Sequence, residues 1–466
     1  MAVFNSYIFL APVFYEWYFF FAFHLHKKHT RVIMRLSTGK TLLKSIILLE
    51  CIKKNGGRGE RRTKTFSRAA AQAANVYAFQ GTTACSAKVA RFWPSFSPGS
   101  HFFYLNALNT WFIIEQMYSR EFCDAPRKLV EGGRAHFGTY IGVSPRFDIK
   151  GMRAPYAGVP LPPVISDIRI KSRLNYYFSI EKYIGLVEFF DFKIIGLAEI
   201  CFWDKTNGKK YVYHSIMPTR RRFIPKNTDK GICASYRKSR YIRISWEQAH
   251  TVKAMRFHVK HNSGWPDSEG WFHSIREDSM RDDISFVCPS PTTSRCTALW
   301  LSTMKINGHL AIKGTEPDNS SGLALMTMNR FYSKTRSLSL RVCGMGCIEG
   351  KEVIFYMATT SSDAADPDKY NSNVLEIDGQ RTALPSVVAT HPFGLNKSWV
   401  IQDTESMIDL TFTPGSLYQR SINLIAFRTA SWHIYGTFEG VLLDKDGNKI
   451  QLKSFPGMLT RSSLRV

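Results

Sequence analysis

Leu197-Ala-Glu-Ile-Cys-Phe-Trp-Asp204 and Lys209-Lys-Tyr-Val-Tyr-His-Ser-Ile216 flank Lys205-Thr-Asn-Gly208, and the stretch reads as two strands folded about one tight reversal. Asn-Gly tolerates the positive φ that a type I′ hairpin turn requires. The flanks are rich in aromatic and β-branched residues, which suit a pleated, half-buried surface. Working outward, the chain after about residue 160 consists of short runs dense in Val, Ile, Phe and Tyr. Turn residues break it at intervals of roughly 8–12 positions, the signature of many short strands. Three further dipeptides mark reversals. They are Asn307-Gly308, expected to join Thr297–Lys305 to His309–Lys313, Asp378-Gly379, and Asp446-Gly447 between Tyr435–Asp444 and Lys449–Lys453. The expected class is all-β, and a large antiparallel meander that buries one face and manages its edges favours a barrel or sandwich.

At 466 residues the chain exceeds the size at which one core stops growing, so two or three lobes are expected. With 44% hydrophobic and 14% aromatic residues it has ample material for a core. A polar stretch from His261 to Asp283 carries Gly264, Pro266, Gly270 and mixed charge, and places a lobe boundary at 288/289. The expected organisation is a basic N-terminal extension over 1–124, a first β lobe over 125–288 and a second over 289–466.

The formal charge is +25, and residues 1–124 carry 16 Lys/Arg against 6 Asp/Glu. Such an excess attracts polyanions without selecting among them, and no nucleic-acid module accompanies it, so no specific nucleic-acid partner is expected. Residues 7–31 join an apolar aromatic run to a basic cluster and could associate with a membrane. Glu16 and Pro12 interrupt that run, no positive segment precedes it and no small-residue cleavage site follows. Nine cysteines without a CxxC pair point to a cytoplasmic or other reducing compartment rather than a disulfide framework. Cys343 and Cys347 are expected as buried structural thiols. Gly39-Lys40-Thr41 lacks the glycine five residues before the lysine that a phosphate-binding loop needs. No metal or cofactor motif stands out.

Several stretches resemble one family: Phe137-Gly-Thr-Tyr140, Glu188-Phe-Phe-Asp191, Arg220-Arg-Arg-Phe-Ile-Pro225, Asp363-Ala-Ala-Asp366 with Lys369-Tyr-Asn371, Gln402-Asp-Thr-Glu405 and Tyr435-Gly-Thr-Phe-Glu-Gly440. They are similar to the family called domain of unknown function 2804, from about Ala125 to Val466. That family is in turn similar to two-lobed lipocalin-like proteins of the carotenoid 1,2-hydratase type. The resemblance implies tandem antiparallel barrels or half-barrels around an apolar interior. It implies no reaction, and fold analogy does not establish one.

Candidate site residues come from polar groups set on apolar faces. In Tyr183–Phe192, alternation places Ile184, Leu186, Glu188, Phe190 and Phe192 on one face. A buried carboxylate needs a partner or a shifted pKa, so Glu188 reads either as a member of a structural ion pair, with one of Arg220, Arg221 or Arg222, or as a pocket acid. Arg220 and Arg222 share a face and are candidate ligand contacts. In Ile401–Phe412 the apolar Ile408, Leu410 and Phe412 oppose Asp403, Glu405 and Asp409, either a solvated stripe or the wall of a polar lumen. His391 and Trp399 lie near it in sequence and could supply an acid–base group and a stacking surface. Two function classes result. The first is a binding protein whose aromatic interior holds a hydrophobic small molecule. The second is a hydratase- or cyclase-like enzyme that protonates an unsaturated lipid or isoprenoid.

Overall fold

The computed structural model of the protein describes residues 118–156, 162–218, 223–250, 252–260, 264–275, 282–424 and 427–465, together with the backbone of four short antiparallel strands between Ser6 and Ile52. Residues up to Tyr104 form one unit and Leu105–Val466 another. The second unit, described below, is almost wholly antiparallel β.

Its first sheet begins with β1 (Phe122–Asp124) and β2 (Gly138–Ile141) and, after one turn of helix, α1 (Pro163–Ile168), runs through a meander. The strands are β3 (Ile170–Ser179), β4 (Tyr183–Asp191), β5 (Ile195–Asp204), β6 (Lys210–Pro218), β7 (Lys230–Arg237), β8 (Arg240–Glu247), β9 (Val252–Val259), β10 (Ser268–Ser274), β11 (Ile284–Pro289), β12 (Cys296–Ile312) and β13 (Ser321–Tyr332). The main path is β6-β5-β4-β3-β13-β12-β10-β9-β8-β7, with β11 paired to β12 and β2. The two end strands are not joined by a ladder. Instead Arg237 donates to the Ile216 carbonyl and Arg240 to the His214 carbonyl, so side chains satisfy the edge that strand pairing leaves open. The sheet thereby curls into a half-barrel. Its concave side is filled with Tyr176, Phe178, Val187, Phe189, Phe202, Trp246 and Trp300, the last two edge to face at 5.8 Å.

The second sheet takes β14 (Arg336–Ile348), β15 (Lys351–Thr360), β16 (Val374–Ile377), β17 (Gln380–Ala383), β18 (Val387–Thr390), β19 (Trp399–Asp403), β20 (Ile408–Leu424), β21 (Phe427–Leu443) and β22 (Lys449–Arg465) in the order β17-β16-β15-β14-β22-β21-β20-β19-β18. It curls around its own core of Val342, Phe355, Met357, Trp399, Ile401, Leu410, Phe412 and Phe438. A third apolar layer lies between the sheets. There Ile184, Leu186, Cys201 and Trp203 from the first meet Cys343, Met345, Tyr356, Tyr435 and Met458 from the second. Strands β3 and β4 are therefore buried on both faces along their whole length.

The all-β, two-lobed antiparallel reading holds, and Asn207-Gly208, Asp378-Gly379 and Asp446-Gly447 all lie between paired strands. Asn307-Gly308 does not. It sits inside the 17-residue β12, with Gly308 opposite Phe272, whose ring lies 2.2 Å from where a Cβ would stand. That glycine admits a close aromatic contact instead of making a turn. The sheets exchange at Ser333–Thr335 rather than at 288/289, because β12 and β13 pair with β10 and β3 of the first sheet and the polar stretch before them contains β10. The packed body also begins before residue 125. Tyr118 donates to the Asp368 carbonyl at 2.5 Å, and Arg120 donates to Asn371 and to the Asn373 carbonyl while covering the Phe286 ring. Of the two cysteines expected as buried, Cys343 is buried and Cys347 is exposed.

Candidate functional site

The alternation read for Tyr183–Phe192 is correct, but the face bearing Glu188 is not the concave one. Val187 and Phe189 point into the first half-barrel, while Ile184, Leu186, Glu188, Phe190 and Phe192 point toward the second sheet. Glu188 is 1% exposed in that layer. Pairing places it in a transverse polar row, Thr327, Asn175, Glu188, Glu199 and His214, one residue from each of five neighbouring strands.

Two rows of the second sheet answer it. Register aligns Tyr418, His433, Thr460 and Arg341 in one, and Arg420, Ser431, Ser462 and Ser339 in the next. Arg420 donates from Nη2 to Glu188 at 3.0 Å and from Nη1 to Glu199, and so spans two carboxylates directly opposite each other on β4 and β5. Arg341 Nη2 reaches Glu188 at 3.4 Å and Ser462 at 3.3 Å. Arg173, on β3, touches Glu188 through Nε at 3.4 Å and lays its guanidinium over the Phe190 ring at 4.2 Å. Tyr418 donates to Glu199 at 2.9 Å and stacks on His433, whose Nε2 lies 3.5 Å from Glu199.

Burial alone would raise the Glu188 carboxyl, but the guanidiniums of Arg173, Arg420 and Arg341 outweigh it and hold the group well below the usual carboxylate range. Glu188 therefore has no proton to give at neutral pH. Glu199 behaves oppositely: burial pushes it up, Arg420 opposes and the neighbouring Glu188 charge adds to the rise. Burial pulls His433 down to about 3, so its imidazole is neutral. Glu188, Glu199 and His433 could offer metal-ligand atoms within 4.8 Å of one another. The Arg420 guanidinium already bridges the carboxylates and supplies the positive charge a metal would bring.

Next to this cluster is a small pocket of ≈ 70 Å³, lined by Phe331, Tyr332, Leu338, Tyr356 and Leu464 with Arg173, Arg341 and Asn329 among its polar groups. A second pocket of ≈ 190 Å³ shares Leu338, Ser339 and Thr360 with it and adds Ala389, His391, Trp399 and Arg461. Here two residues singled out in the sequence do meet. The His391 ring lies 4.2 Å from that of Trp399, and Arg461 lies 3.2 Å from His391 Nε2. Trp399 is itself 1% exposed, part of the second core, with its Nε1 donating to Leu395.

The acidic stripe joins neither pocket. Glu405 and Asp409 are exposed, Asp409 accepting from Gln402, and Asp403 receives the backbone N–H groups of Glu405, Met407 and Ile408 and so pins the turn before β20. Ile408, Leu410 and Phe412 take the concave face, so the stripe is a solvated one and not a lumen wall. Arg220, Arg221 and Arg222 lie outside the described residues. The partners of Glu188 are instead Arg173, Arg341 and Arg420, which sequence reasoning missed. Their one local signal is a charge set among apolar residues of the same face, as Arg341 is with Cys343 and Met345.

The fold and this buried layer define a two-lobed antiparallel half-barrel protein joined through an internal ion cluster. By the match of residues 143–465 to its model, the chain belongs to the family described as domain of unknown function 2804. Similar solved structures include an AttH-type protein from Nitrosomonas europaea, 11% identical, covering 67% of this chain and 98% of that one with a TM-score of 0.37. Kievitone hydratase from Nectria haematococca is 8% identical, with coverages of 63% and 88% and a TM-score of 0.36. CghA with Sch210972 is 11% identical, with coverages of 70% and 98% and a TM-score of 0.30. These likenesses carry no ligand or reaction to this chain. No curated protein matches the sequence. Among the described residues, no helix is long and apolar enough to cross a membrane.

Proposed function

We propose that this protein binds a small hydrophobic molecule at the junction of its lobes. The carrying observation is the smaller pocket, lined by Arg173, Phe331 and Tyr332 from the first sheet and by Leu338, Arg341 and Leu464 from the second. The concave interiors are filled by their own aromatic side chains, as small barrels usually are, and at the junction apolar lining and convergent polar groups coincide. Leu338, Tyr332, Phe331 and Leu464 supply the apolar surface. The smaller pocket contains no carboxylate and no histidine, so its lining suits holding a ligand rather than protonating one. This favours a binding protein over a hydratase- or cyclase-like enzyme.

Leu338 is 49% exposed at the shared wall, so Leu338→Trp should fill the junction without disturbing either core. Native mass spectrometry of the full chain, as purified and after incubation with decanoate, is expected to show a small-molecule adduct that Leu338→Trp loses. Bare protein mass in every sample would overturn the reading.

A further inference from the structure

The buried layer between the sheets holds more positive charge than it can neutralise. Three guanidiniums, Arg173, Arg341 and Arg420, face two carboxylates, Glu188 and Glu199, and His433 is neutral there. Even with both glutamates ionised, one cation is in excess, and the upward push on Glu199 enlarges the excess. A charge removed from water without a partner is expensive, so such a surplus calls for an anion.

The surplus is localised. Arg420 engages the two glutamates and Ser431 through both Nη groups, and its unpartnered Nε does not line the smaller pocket. Arg341 touches Glu188 and Ser462 only through Nη2, while its buried Nε and Nη1 have no hydrogen-bond partner among the described residues. Arg341 is 5% exposed, and both it and Arg173 line the smaller pocket. Nη1 carries two N–H donors of a permanently charged group, and such a donor makes a short, charge-assisted hydrogen bond to a carboxylate oxygen. The pocket's volume suits a headgroup, and its other walls combine Phe331, Tyr332, Leu338 and Leu464 with several serine and threonine side chains.

We infer that this pocket is a carboxylate subsite: a small apolar carboxylic acid binds as its anion, a carboxylate oxygen accepting a hydrogen bond from Nη1 of Arg341, with the Arg173 guanidinium adding charge and the apolar body lying against Phe331, Tyr332 and Leu464. The inference rests on the binding role proposed above and deepens it, since it fixes the ligand's charge and the end that enters first.

Isothermal titration of the full chain with decanoate, decanol and acetate, alongside Arg341→Met, tests it. Removing Arg341 leaves Glu188 with Arg173 and Arg420, so Arg341→Met should fold, which its melting curve will show. The wild type is expected to prefer decanoate over decanol by at least about tenfold, from a charge-assisted contact, and Arg341→Met to lose that preference. Should Arg341→Met not fold, Arg341→Lys takes its place. It keeps the charge but not the planar guanidinium that places Nη1 at the pocket, and should lose at least about fivefold of the preference. Equal binding of decanoate and decanol by the wild type would leave the binding role standing and overturn the carboxylate subsite. Acetate binding that depends on Arg341, without binding of either long-chain probe, would support the anion site and overturn the apolar reading. No binding of any probe would overturn both, and a preference that survives in the variant would overturn the assignment to Arg341.

Discussion

Glu188 and Glu199 stand directly opposite each other on adjacent strands, and the guanidinium that holds them together, Arg420, belongs to the other sheet. Like charges paired across strands are destabilising. Arg173 of the first sheet reaches only Glu188, so burying the pair also calls on Arg341 and Arg420 of the second sheet. Arg420→Met should expose the pair to its own repulsion and cost about 3–5 kcal/mol, the usual consequence of breaking a buried ion pair by removing one partner. Urea denaturation monitored by circular dichroism would read the loss. The double change Arg420→Met with Glu199→Gln should recover part of it, since it removes one of the two opposed charges.

Glu188→Gln should also be costly, again by about 3–5 kcal/mol, because three guanidiniums would then share one carboxylate. A melting temperature equal to that of the wild type would show that Glu188 is not the centre of the cluster.

Acidification supplies an independent check through His433. Its pKa is lowered from 6.5 to about 3 in the folded protein, so folding favours the neutral ring. A lowered folded pKa contributes stability that is present above the unfolded value and is lost as pH falls toward the folded one. Between pH 6.5 and about 3, His433 should thus remove up to about 1.4 kcal/mol per pH unit, the slope of one proton. Glu188, also lowered, adds a loss beginning below about pH 4.5. Glu199, raised, acts in the opposite sense, its contribution fading as pH rises through its folded value. In denaturation series from pH 7 to 5, above the Glu188 window, His433→Gln should flatten the slope by close to one proton. An unchanged slope would contradict the burial of a neutral imidazole.

The start of the folded body can be tested by truncation. A chain beginning near Leu105 keeps Tyr118, Arg120 and β1, whereas one beginning at Ala125 loses the bonds to Asp368, Asn371 and Asn373 and the pairing of β1 with β2. At roughly 1 kcal/mol per net hydrogen bond, and more for charged donors, the shorter chain should be less stable by about 3 kcal/mol or more. Identical denaturation midpoints would show that residues 118–124 add nothing.

Much of the architecture was legible because strand chemistry is local. Alternation around Glu188, the hairpin at Asn207-Gly208 and the turn at Asp378-Gly379 each depend on residues within a few positions of one another. What alternation cannot say is which face of a strand buried on both sides looks into a barrel and which looks at a second sheet. That choice put Glu188 between the lobes rather than in a lumen. Its partners were illegible for a related reason: Arg341 is 153 residues away and Arg420 is 232, brought near only when the sheets stack. Asn307-Gly308 misled because the same dipeptide that favours a turn also allows an aromatic ring to lie flat on a strand, and the ring of Phe272 comes from another part of the chain. Asp403 was singled out as chemistry when its carboxylate holds a turn, a role that sequence spacing does not separate from catalysis.

The most direct test of the account is a crystal structure of the full chain with decanoate. The account predicts a carboxylate oxygen within roughly 3 Å of Nη1 of Arg341 and the alkyl chain against Phe331, Tyr332 and Leu464. Decanoate lodged inside either half-barrel, or on the exposed surface with the pocket beside Arg341 lacking it, would contradict the account.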